Sequence, residues 1–218
     1  VLEMVTTPEA AQDGRRLRNM RDKQDRIFEA AAALFAERGF DSVTTQQISD
    51  RADVAAGTLF RYASSKGELL LMVYNEEFRT ALEQGEQDSR SETDPARAVL
   101  AMVRPIVEAA AGRVENTVAY QRELLFGAPT EQYRAEGLAL VARLESTIAE
   151  RLTAAVPADD ADKQDLFARA LLSGRSVFAV LHLILAQPAT GAHPGRDATD
   201  DLRDQIAQIV AGFFASIQ

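Results

Sequence analysis

The sequence predicts an all-α protein of about nine helices: a three-helix head carrying a helix-turn-helix, followed by a longer helical body. Three observations predict the class. Apolar residues recur at three- and four-residue spacing, no segment shows the alternation of a half-buried strand, and helix start and stop signals recur along the chain.

The bulk numbers suit one domain or two small ones: 218 residues, 46% hydrophobic and 26% charged. There is no Cys or Trp, which removes disulfides, thiolate metal sites and a cysteine nucleophile. Two histidines, His182 and His193, cannot by themselves build a His-rich zinc site, so no metal, cofactor or catalytic residue is expected. No uninterrupted apolar run reaches the roughly 18 residues that span a bilayer. The opening VLEMVTTPEAAQDGRRLR lacks the basic-then-apolar order of a signal peptide, and the expectation is a cytoplasmic chain with no membrane partner. The net charge is −9, unevenly spread. Arg15 to Glu68 holds ten basic against eight acidic residues, or +2, while the remainder holds fourteen against twenty-five, or −11. A near-neutral to basic head on an acidic body is modest support for nucleic-acid binding.

Residues 1–20 include Pro8 and Gly14 and lack helical periodicity, predicting a flexible arm. Its basic end, Arg15-Arg16-Leu17-Arg18, is either a solvated tail or a source of phosphate or minor-groove contacts. From about Asp22 the stripe Ile27, Ala30, Ala31, Leu34 and Phe35 predicts an amphipathic helix, with Gly39 as its left-handed stop and Phe40 folding back on Phe35. Thr44 and Gln47 have capping-box spacing and open a short helix burying Ile48 and Ala52. After the turn Asp53-Val54-Ala55, a second short helix is predicted from about Ala56 to Tyr62, and Ser65 with Glu68 repeats the capping box before a longer helix. Residues 21–68 are the predicted head and 69–218 the body.

A polar stretch, Gln87 to Thr93, reads as the connection. In the body, Asp94-Pro95 is an N-cap with Pro in the first turn, and Pro105 predicts a kink near Met102. Helices are predicted over about Glu115 to Phe126, from a Thr130 cap to about Val156, from Asp159 or Asp160 to a stop at Pro188, and from Asp197 onward with Leu202, Ile206, Ile209, Val210, Phe213 and Ile217 on one face.

A helix-turn-helix needs a short first helix packed on the second, a tight reversal, and a second helix whose leading end reaches base edges in the major groove. Ile48, Ala52, Val54 and Leu59 supply the small core, while Ala55, Ala56 and Gly57 keep the leading end thin. Thr58 and Arg61 point outward; the helix starts at Thr44 and Ser65, with Lys66 beside the second, can hold phosphates.

The run Arg26 to Leu70, RIFEAAAALFAERGFDSVTTQQISDRADVAAGTLFRYASSKGELL, resembles the DNA-binding domain of TetR-type (tetracycline-repressor-like) transcriptional regulators. The resemblance covers 45 consecutive positions, from the Ala-Ala-x-x-Leu-Phe helix through Gly-Thr-Leu-aromatic to Ser-Lys-x-Glu-Leu-Leu. It implies a homodimer paired through its last two helices, a pseudo-palindromic double-stranded DNA operator and a small-molecule effector bound in the body. It also implies a DNA-facing set of Thr44, Thr45, Ala56, Gly57, Thr58, Phe60, Arg61, Tyr62 and Lys66. The chain departs from the family pattern three times: Ala55 lacks a capping side chain, Phe60 lacks the usual phenolic hydroxyl, and Ala63 replaces an aromatic.

For the body, Met102, Tyr120, Phe126, Tyr133, Phe167 and Phe178 are the candidate lining of a pocket for a largely apolar effector, against ordinary core packing. Arg104, Arg122 and Arg175 could meet a ligand carboxylate or form internal salt bridges. Leu181, His182, Leu185, Ile206, Val210 and Phe213 are the candidate dimer interface. The leading reading is a ligand-released repressor. Its competitors are a ligand-binding or enzymatic body with a vestigial head, and a head that binds protein instead of DNA.

Overall fold

The computed structural model describes residues 8–157 and 163–217, all helix and connecting loop among those residues. The elements are α1 (Pro8–Arg38), α2 (Thr45–Arg51), α3 (Ala56–Leu59), α4 (Lys66–Ser89), α5 (Pro95–Ala110), α6 (Val114–Phe126), α7 (Gln132–Thr153), α8 (Lys163–Thr190) and α9 (Ala198–Ser216). The all-helical class is as the periodicity predicts. Helix α1 starts earlier than expected: the supposed arm over residues 1–20 is helical from Pro8, where proline suits a first turn. Residues 1–7 and the side chains of Arg15 and Arg16 lie outside the described residues.

Several boundaries follow from caps that the sequence displays. Gly39 has φ +76 and donates its N–H to the Phe35 carbonyl at 3.0 Å, and the Phe35 and Phe40 rings pack 5.8 Å apart. Asp94 and Asp197 cap α5 and α9 through their side chains. Two signals mislead. Thr130 caps nothing; Glu131 is the N-cap of α7 and its carboxylate is used elsewhere. Helix α8 runs through Pro188 to Thr190 and ends where Gly191, φ +63, donates to the Gln187 carbonyl at 2.9 Å, so the stop is the glycine. Helix α5 contains Pro105 and ends at Ala110, close to the expected bounds. The expected start of α8 at Asp159 or Asp160 falls outside the described residues.

Helices α1 to α3 pack with the first turns of α4 around Phe35, Ile48, Leu59, Leu69 and Leu70, each about 99% buried or more. Full burial of one such side chain contributes about 1.5–3 kcal/mol, which is how a four-residue α3 is held although it could not persist alone. A second core lies among α4, α5, α7, α8 and α9, around Leu82, Leu144, Ile148, Leu181 and Ile206. Phe78 of α4 and Phe178 of α8 touch both cores and mark the seam between them.

Helix α8 corrects one expectation. It alone among the described residues has the length and apolarity to cross a bilayer, with a mean hydropathy of 1.5 over an 18-residue window of which 28% is buried. Its apolarity has a different source: one stripe, including Ala170, Gly174, Val177 and Leu181, packs on α7, α6 and α9, and a second apolar face is left outward.

Candidate functional site

The head presents a helix-turn-helix whose geometry is set residue by residue. The Thr44 hydroxyl accepts the Gln47 N–H at 3.2 Å and the Gln47 side chain accepts the Thr44 N–H at 2.9 Å, the complete capping box. Asp53 takes φ +51, a left-handed turn that aspartate tolerates, and Arg26 donates to its carbonyl and carboxylate at 3.2 and 3.3 Å. Ala55 caps α3 without a side-chain hydrogen bond, as its lack of a polar atom requires. Ala55, Gly57, Phe60 and Arg61 are exposed, with Thr45, Ala56 and Thr58 half-buried beside them. The Arg61 side chain has no hydrogen bond or ion pair among the described residues, leaving its five donors to solvent. A Cβ on Gly57 would meet nothing within 4 Å, and its φ is not positive. The fold therefore gains nothing from a glycine that weakens the helix by about 1 kcal/mol relative to alanine.

Lys66 departs from its expected place on a phosphate. Its ammonium turns inward, donating to the Phe40 and Val43 carbonyls at 2.8 and 3.0 Å and sitting 4.2 Å from the centre of the Phe40 ring. The reason is that the α1–α2 loop leaves two carbonyl oxygens facing the start of α4, and a long cation satisfies both. Tyr62 is also tied down, its hydroxyl donating to the Met20 carbonyl of α1 at 3.2 Å.

Beside the Gln24 side chain of α1, which donates to the Tyr133 hydroxyl at 3.2 Å, two networks join head to body. At the first, the Asn116 side chain of α6 accepts the Phe40 N–H at 2.7 Å and donates to the Phe35 carbonyl at 2.9 Å, while Glu115 accepts the Asp41 N–H at 2.7 Å. At the second, the Ser65 hydroxyl accepts the Glu68 N–H as predicted, but the buried Glu68 carboxylate accepts from the N–H groups of Ser64 and, across the junction, Gln132 at the start of α7. Ser64 and Ser65 donate in turn to Glu131. Sequence reasoning missed Glu115, Asn116, Glu131 and the cross-junction role of Glu68; an acidic residue in the first turn of α6 was the available signal.

A small cavity of about 70 Å³ lies at the seam of the two cores, between α4, α5, α6 and α8. Of the six predicted lining residues only Tyr120 and Phe178 reach it. Met102 is 2% exposed and packs in the second core, and Tyr133 is 6% exposed and packs in the first. Phe126, the last residue of α6, is 82% exposed, and Phe167 faces a separate groove near the end of α7. The sequence placed each on a helix but not on a face shared with the others. Arg104, Arg122 and Arg175 pair with Asp88, Glu123 and Glu145 at 3.4, 3.2 and 3.7 Å, and none lines the cavity. His182, expected at the dimer interface, does line it, and burial holds its pKa below the usual 6.5. The Tyr120 hydroxyl donates to Asn75 at 2.9 Å, and burial pushes its pKa up. No group of three His, Cys, Asp or Glu is placed to hold a metal among the described residues.

Comparison with known proteins bears first on the head. Residues 27–73 match the family described as bacterial regulatory proteins, tetR family. The transcriptional repressor KstR of Rhodococcus jostii is 30% identical over 151 residues, which are 68% of this chain and 66% of that protein. KstR of Mycobacterium tuberculosis is 41% identical over 58 residues, 27% of this chain and 26% of that protein. The chain belongs to the tetR family. Its matches span from about a quarter to just under two thirds of these relatives' own lengths. The crystal structure of Thermus thermophilus FadR, a TetR-family transcriptional repressor in complex with lauroyl-CoA, is 26% identical, covers 86% of this chain and 93% of that one, and superposes with a TM-score of 0.67.

In this tetR-family chain the residues expected at a dimer interface mostly face inward. Leu181, Ile206, Val210 and Phe213 are between 1% and 5% exposed in the protomer's own core, and Leu185 lines the cavity. The exposed large apolar side chains of α8 are Phe167, Leu172 and Leu183, 36%, 59% and 44% exposed, and α9 alongside exposes Ala207, Ala211 and Gly212. Periodicity located the apolar side of α9 correctly, but a helix with two apolar neighbours has two candidate faces.

Proposed function

We propose that the chain is a DNA-binding transcriptional regulator, a repressor acting as a cytoplasmic homodimer and released from a pseudo-palindromic operator by a largely apolar small molecule. Residues 21–68 read the DNA, and residues 69–218 bind the effector and pair the two copies. The observation that carries the reading is the exposed side of α3 and the turn after it: Gly57 open to a partner, Phe60 and Arg61 exposed just beyond the helix, and a capped α2 start at Thr44. Half-sites lie about 34 Å or somewhat more apart along the duplex, one helical turn or a larger spacing.

Helix α6 joins the two tasks. Its residues Thr117, Tyr120 and Gln121 line the cavity, and its first turn, Glu115 and Asn116, holds the Phe40–Asp41 corner of the head. A molecule that widens the cavity displaces α6 and with it the corner on which α2 is seated. Lauroyl-CoA in the Thermus FadR structure, an apolar chain on a polar carrier, supports an apolar effector for this chain. The outward Leu172 and Leu183 of α8 support pairing of two copies through α8 and α9.

The test is an electrophoretic shift of the chain's own promoter region over a range of salt. Sequence-selective binding that falls steeply with salt supports the reading, and the absence of a selective shift at low salt overturns it.

A further inference from the structure

Two helix starts meet at the second network between head and body, and each borrows from the other. Helix α7 has no side-chain cap of its own. The N–H of its first residue, Gln132, goes instead to the Glu68 carboxylate of α4 at 2.9 Å, whose other oxygen accepts the Ser64 N–H at 2.6 Å. Helix α4 is capped by Ser65. That hydroxyl accepts the Glu68 N–H at 2.9 Å and donates at 2.9 Å to Glu131, which stands at the N-cap position of α7. Both carboxylates lie at the positive ends of two long helices, which stabilises their charge. The exchange still carries a cost: the second Glu131 oxygen is buried without a hydrogen bond, and a serine or aspartate in its place would cap α7 locally without it.

The next residue of α7 is fastened to the head as well. Tyr133 is buried in the head's core, its hydroxyl accepts from Gln24 of α1, and its carbonyl accepts the Asn75 amide of α4 at 2.7 Å. Further along, Leu144, Ile148 and Leu152 of α7 sit in the second core, and α8 closes on α7 at Gly174. One continuous helix therefore runs from the DNA-reading head to α8, which carries the exposed Leu172 and Leu183. Its two attachments differ in kind. Apolar packing against α8 is non-directional, whereas hydrogen bonds to a carboxylate weaken steeply once their angles change. The angle of the head is thus held at the exchanged caps. Helix α7 contributes no residue to the cavity at the seam, which leaves this joint outside the region an effector would widen.

We infer that Glu68 and Glu131 are positioning residues for DNA binding: the caps exchanged between α4 and α7 fix the angle of the head on the body, and with it the half-site separation that two paired copies accept. The inference rests on the regulator reading for the DNA and the pairing, and on the exchanged caps alone for the angle.

The first measurement needs no DNA. The chain has no cysteine of its own, so spin labels on Arg38→Cys in the head and Ala142→Cys in α7, both exposed positions, report one distance when labelled chain is diluted in unlabelled. The distance distribution is narrow in the parent and broader in Glu68→Ala and Glu131→Ala, while Glu131→Gln, which keeps an acceptor for the serines, stays narrow. The Glu131 side chain caps no helix, so Glu131→Ala carries the test where Glu68→Ala fails to fold. Equal widths in the parent and Glu131→Ala overturn the inference.

The second measurement uses the operator located by the promoter shift, with its half-sites moved together or apart by one base pair, about 3.4 Å along and about 35° around the duplex. The parent loses about tenfold in affinity at either altered spacing, and the two alanine variants lose less than about threefold from their own best spacing. Arg61→Ala keeps the parent's ratio while binding more weakly at every spacing. A ratio unchanged in Glu131→Ala overturns the inference and leaves the regulator reading standing. A parent with no selective shift at any spacing removes the regulator reading and the half-site part of the inference with it, while the distances still decide whether the caps hold the angle.

Discussion

Gly57 in the head and Gly85 and Gly174 in the body are absent side chains for opposite reasons. A Cβ at Gly57 enters open space, one at Gly85 collides with the backbone of Met102 in α5, and one at Gly174 comes 2.5 Å from the Glu145 carbonyl oxygen in α7. At Gly85 and Gly174 the missing side chain lets helices of the body close on each other, whereas Gly212 on the outer side of α9 is as open as Gly57. The head uses it on a surface that touches nothing within the chain. The difference teaches where to look for an external partner: at a residue whose cost to the fold has no return inside it.

The sharpest way to break this comparison is to add the methyl group. Gly85→Ala is expected to destabilise by about 3 kcal/mol, seen in the denaturant midpoint, because the clash is with backbone and cannot relax by a rotamer change. Gly57→Ala is expected to keep or raise stability by up to about 1 kcal/mol while weakening operator binding. A destabilised Gly57→Ala protein, or one that binds operator as before, removes the contrast.

Asn116→Ala comes next. It strips partners from the Phe40 N–H and the Phe35 carbonyl together, and a loss of about 2 kcal/mol is expected in equilibrium unfolding. The same variant should bind operator with a weakened response to effector, since the corner is no longer held to α6.

Arg61 and Lys66 then separate reading from scaffolding. Arg61→Ala is expected to lose about tenfold in operator affinity with an unchanged melting temperature. Lys66→Met is expected to lower stability by about 1 kcal/mol and to leave the slope of log affinity against log salt unchanged, because its ammonium holds two carbonyls of the head. A slope reduced by about one would return Lys66 to a phosphate.

The smallest effect concerns pH. His182 is harder to protonate in the folded chain than in the unfolded one, whose imidazole has the ordinary value of 6.5. Below that pH the unfolded state binds more protons, so the His182 contribution is fully present above pH 6.5 and is lost as pH falls toward the folded value. Melting curves of His182→Phe should show a shallower decline over that acid range than the parent.

What could be read in advance divides along the same line. Gly39, the Thr44–Gln47 box and Asp94 were legible because a cap involves atoms within four residues of one another. The interior of the helix-turn-helix was legible because Ile48, Ala52 and Leu59 lie on short, contiguous helices with a single possible inner face. Lys66 was misread because its partners, 23 and 26 residues away, are backbone carbonyls, which carry no mark in a sequence. Met102, Tyr133 and Phe167 were misread because an apolar helix position specifies burial and not the neighbour that provides it.

The order of elements, the all-helical class and the face of α3 that meets solvent were determined by the sequence itself, through periodicity and caps that act over one or two turns. The cavity between α4, α5, α6 and α8, the inward turn of Lys66, the Asn116 hold on the head and the outer face of α8 were decided only by tertiary packing. Each depends on the direction of side chains from helices distant in sequence, and that direction is set when two cores close on a shared seam at Phe78 and Phe178.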